Sequence, residues 1–307
     1  MEECRRLWIQ KPAACFFDEW WVREAFAESY MRPLYVLVAE AGGKPVGFLP
    51  LCWIEESRCF GCFPGETWRS KTWLEQNTLR ASGWRAVREL LNAVPGDAHL
   101  RYLSAEPWHV RENAIREDEV GYLFLPEQYG YDFDRYWQTF SRKSRKQLSA
   151  EMNAISSPGL SFRYDCPADA ETMFRMNLEG FGSYSYFSDN RFLSSFETLM
   201  KRLLKRGMLR ITTVLIGGRV AAVDIGAVWN RTYTVLAGGT SREFPGVAKV
   251  INFQHLKWAC RERFDTVDFL CGDFGWKARF HLLPRPLYEL RIADSLAIKD
   301  SKTLAYA

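Results

Sequence analysis

Two stretches of this chain spell the same hairpin. Residues 34–51 run as an apolar-rich strand, the turn Gly42-Gly43-Lys44 and a second strand; residues 209–226 repeat this around Gly217-Gly218-Arg219. A Gly-Gly pair between two such runs signals a tight hairpin, because both turn positions can take positive φ. Helical sequence precedes each hairpin, at residues 16–29 and 191–206. Each is followed by another strand, a helix (residues 82–94 and 249–263) and a further strand. A unit recurring on this scale predicts an α/β (α+β) fold of two tandem domains, each a mixed sheet flanked by helices. The boundary falls between residues 1–125 and 126–307.

A length of 307 residues suits two such domains. With 47% hydrophobic and 25% charged residues, the composition is that of a soluble globular chain rather than a disordered one. The net charge of +4 carries no overall nucleic-acid footprint, so no DNA partner is expected. No apolar run approaches the ~18 residues of a membrane span. Glu2, Glu3, Arg5 and Arg6 crowd the start, where a signal peptide would be apolar. A cytoplasmic protein with reduced cysteines is expected. Cys59-Phe60-Gly61-Cys62 is a single CxxC without a second ligand pair, so no metal is expected.

The two copies differ where it matters for chemistry. Only the second places a small-residue loop, Arg242-Glu243-Phe244-Pro245-Gly246-Val247-Ala248, directly before its helix. A helix start offers unpaired N–H groups and a favourable dipole, hence an anion cradle suited to a phosphate-bearing ligand. Upstream, residues 132–155 read as one helix whose middle is Ser141-Arg142-Lys143-Ser144-Arg145-Lys146. Like charges so close repel one another, which an anionic partner would relieve; a solvated helix face is the plainer alternative. The strand at residues 266–270 should run parallel beside residues 232–237, placing the turn Cys271-Gly272-Asp273 at the carboxyl ends of the strands, where open sheets bind ligands.

From residue 132 to 292 these features resemble the GNAT (Gcn5-related N-acetyltransferase) family, as a tandem duplication. They are most similar to the CelD/BcsL cellulose-biosynthesis acetyltransferases, relatives of the Fem aminoacyltransferases. The basic helix, the loop before the long helix, and Asp268 through Lys277 followed by Pro284-Arg285-Pro286 carry the resemblance. One departure stands out: the family's Gln/Arg position falls on Glu243, with Arg242 one residue away.

The resemblance implies an N-acyltransferase that moves an acyl group from acyl-CoA to an amine of a sugar, amino acid or peptide. Arg242, Gly246, Val247, Ala248 and Lys249 would hold the donor pyrophosphate, and backbone N–H groups near residues 235–238 the oxyanion. Asp273, Lys277 and His281 are the candidate catalytic residues. Asp273 as base and Lys277 as anion binder have as alternatives a turn aspartate and a solvated lysine. Asp224, Tyr184, Tyr186, Trp276 and Arg145 would line the acceptor side; an outward-facing strand position is the other reading of Asp224. His255 reads as helix packing. The rival functions are an aminoacyl-tRNA-dependent, Fem-like transferase and a non-catalytic binding protein on the same fold.

Overall fold

The computed structural model describes residues 1–69, 71–104, 115–272 and 275–293. In chain order its helices and strands are α1 (Glu2–Trp8), α2 (Trp20–Tyr30), β1 (Leu34–Ala41), β2 (Lys44–Ile54), β3 (Cys59–Cys62), β4 (Arg80–Ala81), α3 (Trp84–Asn92), β5 (Ala98–Ser104), β6 (Ile115–Phe124), α4 (Phe133–Gln138), α5 (Arg142–Ser156), β7 (Leu160–Tyr164), α6 (Asp169–Phe181), α7 (Asn190–Lys205), β8 (Leu209–Ile216), β9 (Arg219–Trp229), β10 (Thr232–Thr240), α8 (Ala248–Glu262), β11 (Thr266–Asp268), α9 (Trp276–Arg279) and β12 (Leu283–Ile292).

The chain divides into two units. One holds residues 1–120, 194–196 and the chain from Pro286; the other holds residues 121–193 and 197–285. The expected cut at 125/126 follows the sequence, whereas the contacts transfer the ends of two strands. In the first unit β12 pairs antiparallel with β5 (Leu290 opposite Leu100). In the second, the end of β6 pairs antiparallel with β11 (Phe124 opposite Val267). All the described strands belong to one 12-stranded sheet, and the strands of each unit are thus completed by one from the other half of the sequence.

The repeat is a structural fact. The hairpins β1–β2 and β8–β9 each join a strand of 8 residues to one of 11. Each carries a register shift two residues before the first strand ends, after Ala39 and after Val214. Both turns are left-handed, with φ of 57° and 71° at Gly42 and Gly43 and 56° and 75° at Gly217 and Gly218. Each unit also has a strand, a helix and a parallel neighbouring strand: β3, α3, β5 in the first and β10, α8, β11 in the second.

In the first unit, Val87 and Leu90 of α3 pack on Leu49, Leu51 and Leu100 of the sheet. Trp8, Trp20, Phe48 and Phe63 close a second cluster beneath α1 and α2. In the second unit, α6 and α8 cover opposite faces of β9–β10. A Cβ on Gly239 would come within 2.7 Å of the Met173 carbonyl oxygen of α6, while Asp224, beside Gly238, reaches His255 of α8.

The basic segment differs from its expected form. Instead of one helix over 132–155 there are two, α4 and α5, separated at Thr139-Phe140-Ser141. Asp132 caps the first, accepting from Asp134 N at 2.8 Å, and Ser141 caps the second, accepting from Ser144 N at 3.1 Å. A hydroxyl that takes a free N–H starts a new helix as readily as it interrupts an old one.

The matched turns make a paired prediction. Gly43→Ala and Gly218→Ala each meet open space but a positive φ. Each should cost about 1 kcal/mol, lowering Tm by about 2–4 °C. Unfolding curves of the two variants check this, and an unchanged Tm in either would remove the turn from the account.

Candidate active site

β10 is the strand around which the site forms. On one edge it pairs with β9 along nearly its whole length, with Leu236 as an extra residue between the register pairs Val235–Gly226 and Ala237–Ile225. On the other edge it pairs with β11 for three residues, Thr232–Thr266 to Thr234–Asp268, in the expected parallel sense. Beyond Thr234 that edge has no ladder partner among the described residues, so the bulge at Leu236 sits where the two strands have parted. A bulge takes backbone groups out of the regular ladder, and its N–H can be aimed at a ligand.

β11 is ended by its own side chains. Asp268 Oδ1 accepts from Leu270 N at 2.9 Å, and Leu270 and Gly272 take φ of 56° and 97°. The ammonium of Lys277 then gathers three carbonyls, Phe269 O at 2.9 Å, Leu270 O at 2.7 Å and Cys271 O at 2.8 Å. Lys277 is 2% exposed. It is therefore neither a solvated lysine nor an anion binder at the surface: its three donors fix the turn after β11. Asp268 Oδ2 is held by Arg285 at 2.5 Å.

The carboxylate expected in the acceptor groove is buried as well. Asp224 Oδ2 lies 2.9 Å from His255 Nε2, with Asp224 6% and His255 1% exposed. Gly238, opposite Asp224 in the ladder, leaves the space: a Cβ there would fall 2.2 Å from Asp224 Oδ1. His255, read as packing, is thus the partner that makes a buried aspartate tolerable. Asn177 and Ser185 gave no signal in the sequence. Asn177 Nδ2 donates to Gly238 O at 2.7 Å, and Ser185 Oγ donates to Asn177 Oδ1 at 2.7 Å, tying the strand beyond the bulge to α6.

The loop into α8 satisfies much of itself. Val247 N donates to Phe244 O and Lys249 N to Gly246 O, both at 3.1 Å. The N–H groups of Gly246 and Ala248 find no acceptor among the described residues. Gly246 takes φ of 84°. Glu243, the departure from the family pattern, turns to Arg219 at 2.6 Å, which neutralises its carboxylate. Arg242 donates to the carbonyl of Glu179. Lys249 pairs with Glu151 of α5 at 2.5 Å, and this hydrogen bond holds the Glu151 carboxyl below its ordinary range. Val247 is buried among Val250, Ile251, Met152 and Ile155, so α5 is packed against the start of α8.

The cations of α5 lie at its other end. Arg145 bonds Gln138 O at 3.2 Å, while Arg142, Lys143 and Lys146 are exposed and have no ion-pair partner among the described residues. They crowd the first turns of a helix, where the dipole disfavours positive charge. An anion there would relieve both costs.

His281 is exposed on the turn after α9. Its ring stacks on Phe140 at 4.2 Å, and Nδ1 lies 2.8 Å from Thr139 Oγ1. The Thr139 hydroxyl already donates to Tyr136 O at 2.7 Å. Nδ1 therefore donates to that hydroxyl, the tautomer that places the lone pair on Nε2. Trp276 packs edge-on against Phe269 and Phe280 rather than lining an open pocket. Tyr184 is 70% exposed and Tyr186 packs on Phe192, so the two point to different surroundings. Asp273 lies outside the described residues. Among the described residues no cluster of metal-ligating side chains occurs. Cys62 of the CxxC is pushed up to about 12 by burial.

Comparison with known proteins agrees with this geometry. Residues 142–278 match a family model described as an acetyltransferase (GNAT) domain. No curated protein matches the chain. Among solved structures, the fold is similar to that of FemX (10% identity, 89% of this chain and 92% of that one, TM-score 0.57). It is also similar to the C-terminal domain of a putative lysylphosphatidylglycerol synthetase from Agrobacterium fabrum (11%, 96% and 92%, TM-score 0.55). L-PGS from Bacillus licheniformis is a third (11%, 91% and 94%, TM-score 0.54).

Lys277→Met separates a structural from a ligand-binding lysine. The substitution takes the ammonium donor from the Phe269, Leu270 and Cys271 carbonyls, and leaving a buried carbonyl without its donor costs about 1–3 kcal/mol. Tm should fall by about 4–8 °C without any ligand present. A melting curve that matches the parent protein would return Lys277 to the list of ligand contacts.

Proposed function

We propose that the chain is an N-acyltransferase that uses acyl-CoA and acylates a primary amine of a sugar, amino acid or peptide, in the cytoplasm. The observation that carries this is the parting of β10 and β11 after three residue pairs, with the Leu236 bulge at the opening and the loop into α8 beyond it. That notch accepts an extended thioester arm, and the match of residues 142–278 to an acetyltransferase domain fits the same chemistry.

The donor's phosphates would lie over the N–H groups of Gly246 and Ala248, with the cations at the other end of α5 acting on them as a longer-range field. Of the five donor-site residues expected, Gly246 and Ala248 act through backbone N–H, Val247 through packing, and Lys249 by fixing α5. Arg242 shapes the loop from outside. The amine nitrogen attacks the thioester carbonyl carbon, forming the C–N bond. The oxyanion is received by backbone N–H at the bulge, then the C–S bond breaks and the thiolate leaves. The proton lost by the ammonium intermediate passes to a base. His281 Nε2, with its tautomer fixed by Thr139, has the chemistry for that role; Asp273, on the turn after β11, has the sequence position.

An aminoacyl-tRNA donor is the second reading. The observation that favours it is the exposed, unpaired cation set Arg142, Lys143 and Lys146, which suits a polyanion as well as a nucleotide phosphate.

Two measurements decide between these. Calorimetric titration with coenzyme A should show binding, and Lys143→Glu with Lys146→Glu should weaken it and reduce its salt dependence while Tm stays unchanged. Coenzyme A that fails to bind, with an aminoacyl-tRNA that does, would establish the second donor. With an acceptor in hand, His281→Gln should lower turnover by about 10²–10⁴-fold and leave donor affinity intact. Near-normal turnover would pass the role to Asp273, tested in the same assay as Asp273→Asn.

A further inference from the structure

The first unit contains a polar cavity of about 700 Å³, lined by Arg23, Glu66, Asn77, His99 and Arg101 among others. Most charges on its walls are already answered. Arg101 grips Asp118, with Nη2 at 2.5 Å and Nε at 2.9 Å. His99 Nε2 meets Glu289 Oε2 at 2.6 Å, and Arg291 meets the same carboxylate at 3.2 Å. The Asn77 amide donates to Leu74 O and Arg101 O and accepts from Arg23.

Two side chains are left half-used, and both are deeply buried. Arg23 is 1% exposed. Its Nε donates to Phe17 O at 2.6 Å and its Nη1 to Phe63 O at 3.0 Å and Asn77 Oδ1 at 2.7 Å. The two hydrogens of Nη2 find no acceptor among the described residues. Glu66 is 4% exposed. Its Oε1 accepts from Trp73 N and Leu74 N at 2.8 Å each and from the Thr72 hydroxyl. Its Oε2 has no donor among the described residues. The charge of Arg23 is close enough to pull the Glu66 carboxyl down, yet burial prevails and holds it above its ordinary range. No ion pair joins the two. A buried cation and a buried anion that face one cavity without meeting leave a gap for something of opposite polarity at each end.

We propose that this cavity binds a small zwitterion, an amino acid, whose carboxylate takes the Arg23 Nη2 hydrogens and whose ammonium donates to Glu66 Oε2. Arg23 is anchored at Nε and Nη1 and so pre-set for a carboxylate, and Glu66 is anchored at Oε1. Every residue the site uses belongs to the first unit.

Calorimetry on the full chain with the standard L-amino acids, at up to millimolar concentration, tests this. At least one should bind. For that amino acid, N-acetylation and conversion to the amide should each weaken binding by about tenfold or more, since each removes a charge-assisted contact. Glu66→Gln keeps Oε1 as acceptor and should abolish the preference for the free amine over the N-acetyl form, a change that a merely structural Glu66 would not produce. Arg23 also holds Phe17, Phe63 and Asn77, so the carboxylate end is read with the amides on the parent protein. No binding by any amino acid overturns the proposal. So does equal binding of the blocked forms, or a Glu66→Gln protein that still prefers the free amine.

Discussion

The geometry of the second unit turns on one buried ammonium. A parallel strand pair normally continues while both strands remain extended. Here β11 stops at Asp268 because the next three carbonyls are drawn around Lys277 Nζ. Without that convergence, backbone after Asp268 would compete for the free edge of β10, and the notch at Leu236 would close by ordinary ladder formation. The lysine therefore acts on the ligand site through backbone placement, without needing to touch a ligand. A compact cation with three donors suits this task better than a planar guanidinium.

Around that opening, polar groups are paired in the interior rather than left to solvent. Asp224 with His255 and Asp268 with Arg285 place carboxylates on both sides of the β10–β11 junction. Breaking either pair strands a buried charge, so the strands are held to one register. Gly238 and Gly239 complete the arrangement by opposite means, one leaving room for a carboxylate and the other for the backbone of α6. The loop into α8 follows the same economy: Glu243 and Lys249, the charges nearest the cradle, are spent on Arg219 and Glu151. This leaves backbone N–H groups at the cradle as the ones that can answer an anion.

Local signals in the sequence were legible where local physics decides the outcome. The Gly-Gly turns fix both hairpins because only positive φ closes them, and the parallel pairing of β10 with β11 follows from a helix linking two short strands. The break between α4 and α5 has a local cause, since the Ser141 hydroxyl accepts from the N–H of Ser144 three residues on, but a dense charge run carries no mark of where a helix restarts. The fates of Lys277 and Asp224 were not legible. Whether a lysine meets water or carbonyls depends on where residues 269–271 fold, and an aspartate's face depends on a glycine opposite it on another strand. Arg23 and Glu66 carry no motif at all; their meaning lies in atoms left over after distant partners are satisfied.

The exchanged strands also bear on how this molecule comes into being. Residues 98–104 of β5 leave the ribosome long before residues 287–292 of β12, their ladder partner. At about 5–20 residues per second, the first unit waits on the order of ten seconds with an unpaired sheet edge. Such an edge invites wrong partners, another nascent chain among them. Only β12 ends that exposure, so the sheet of the first unit is completed by a strand made after the whole of the second unit.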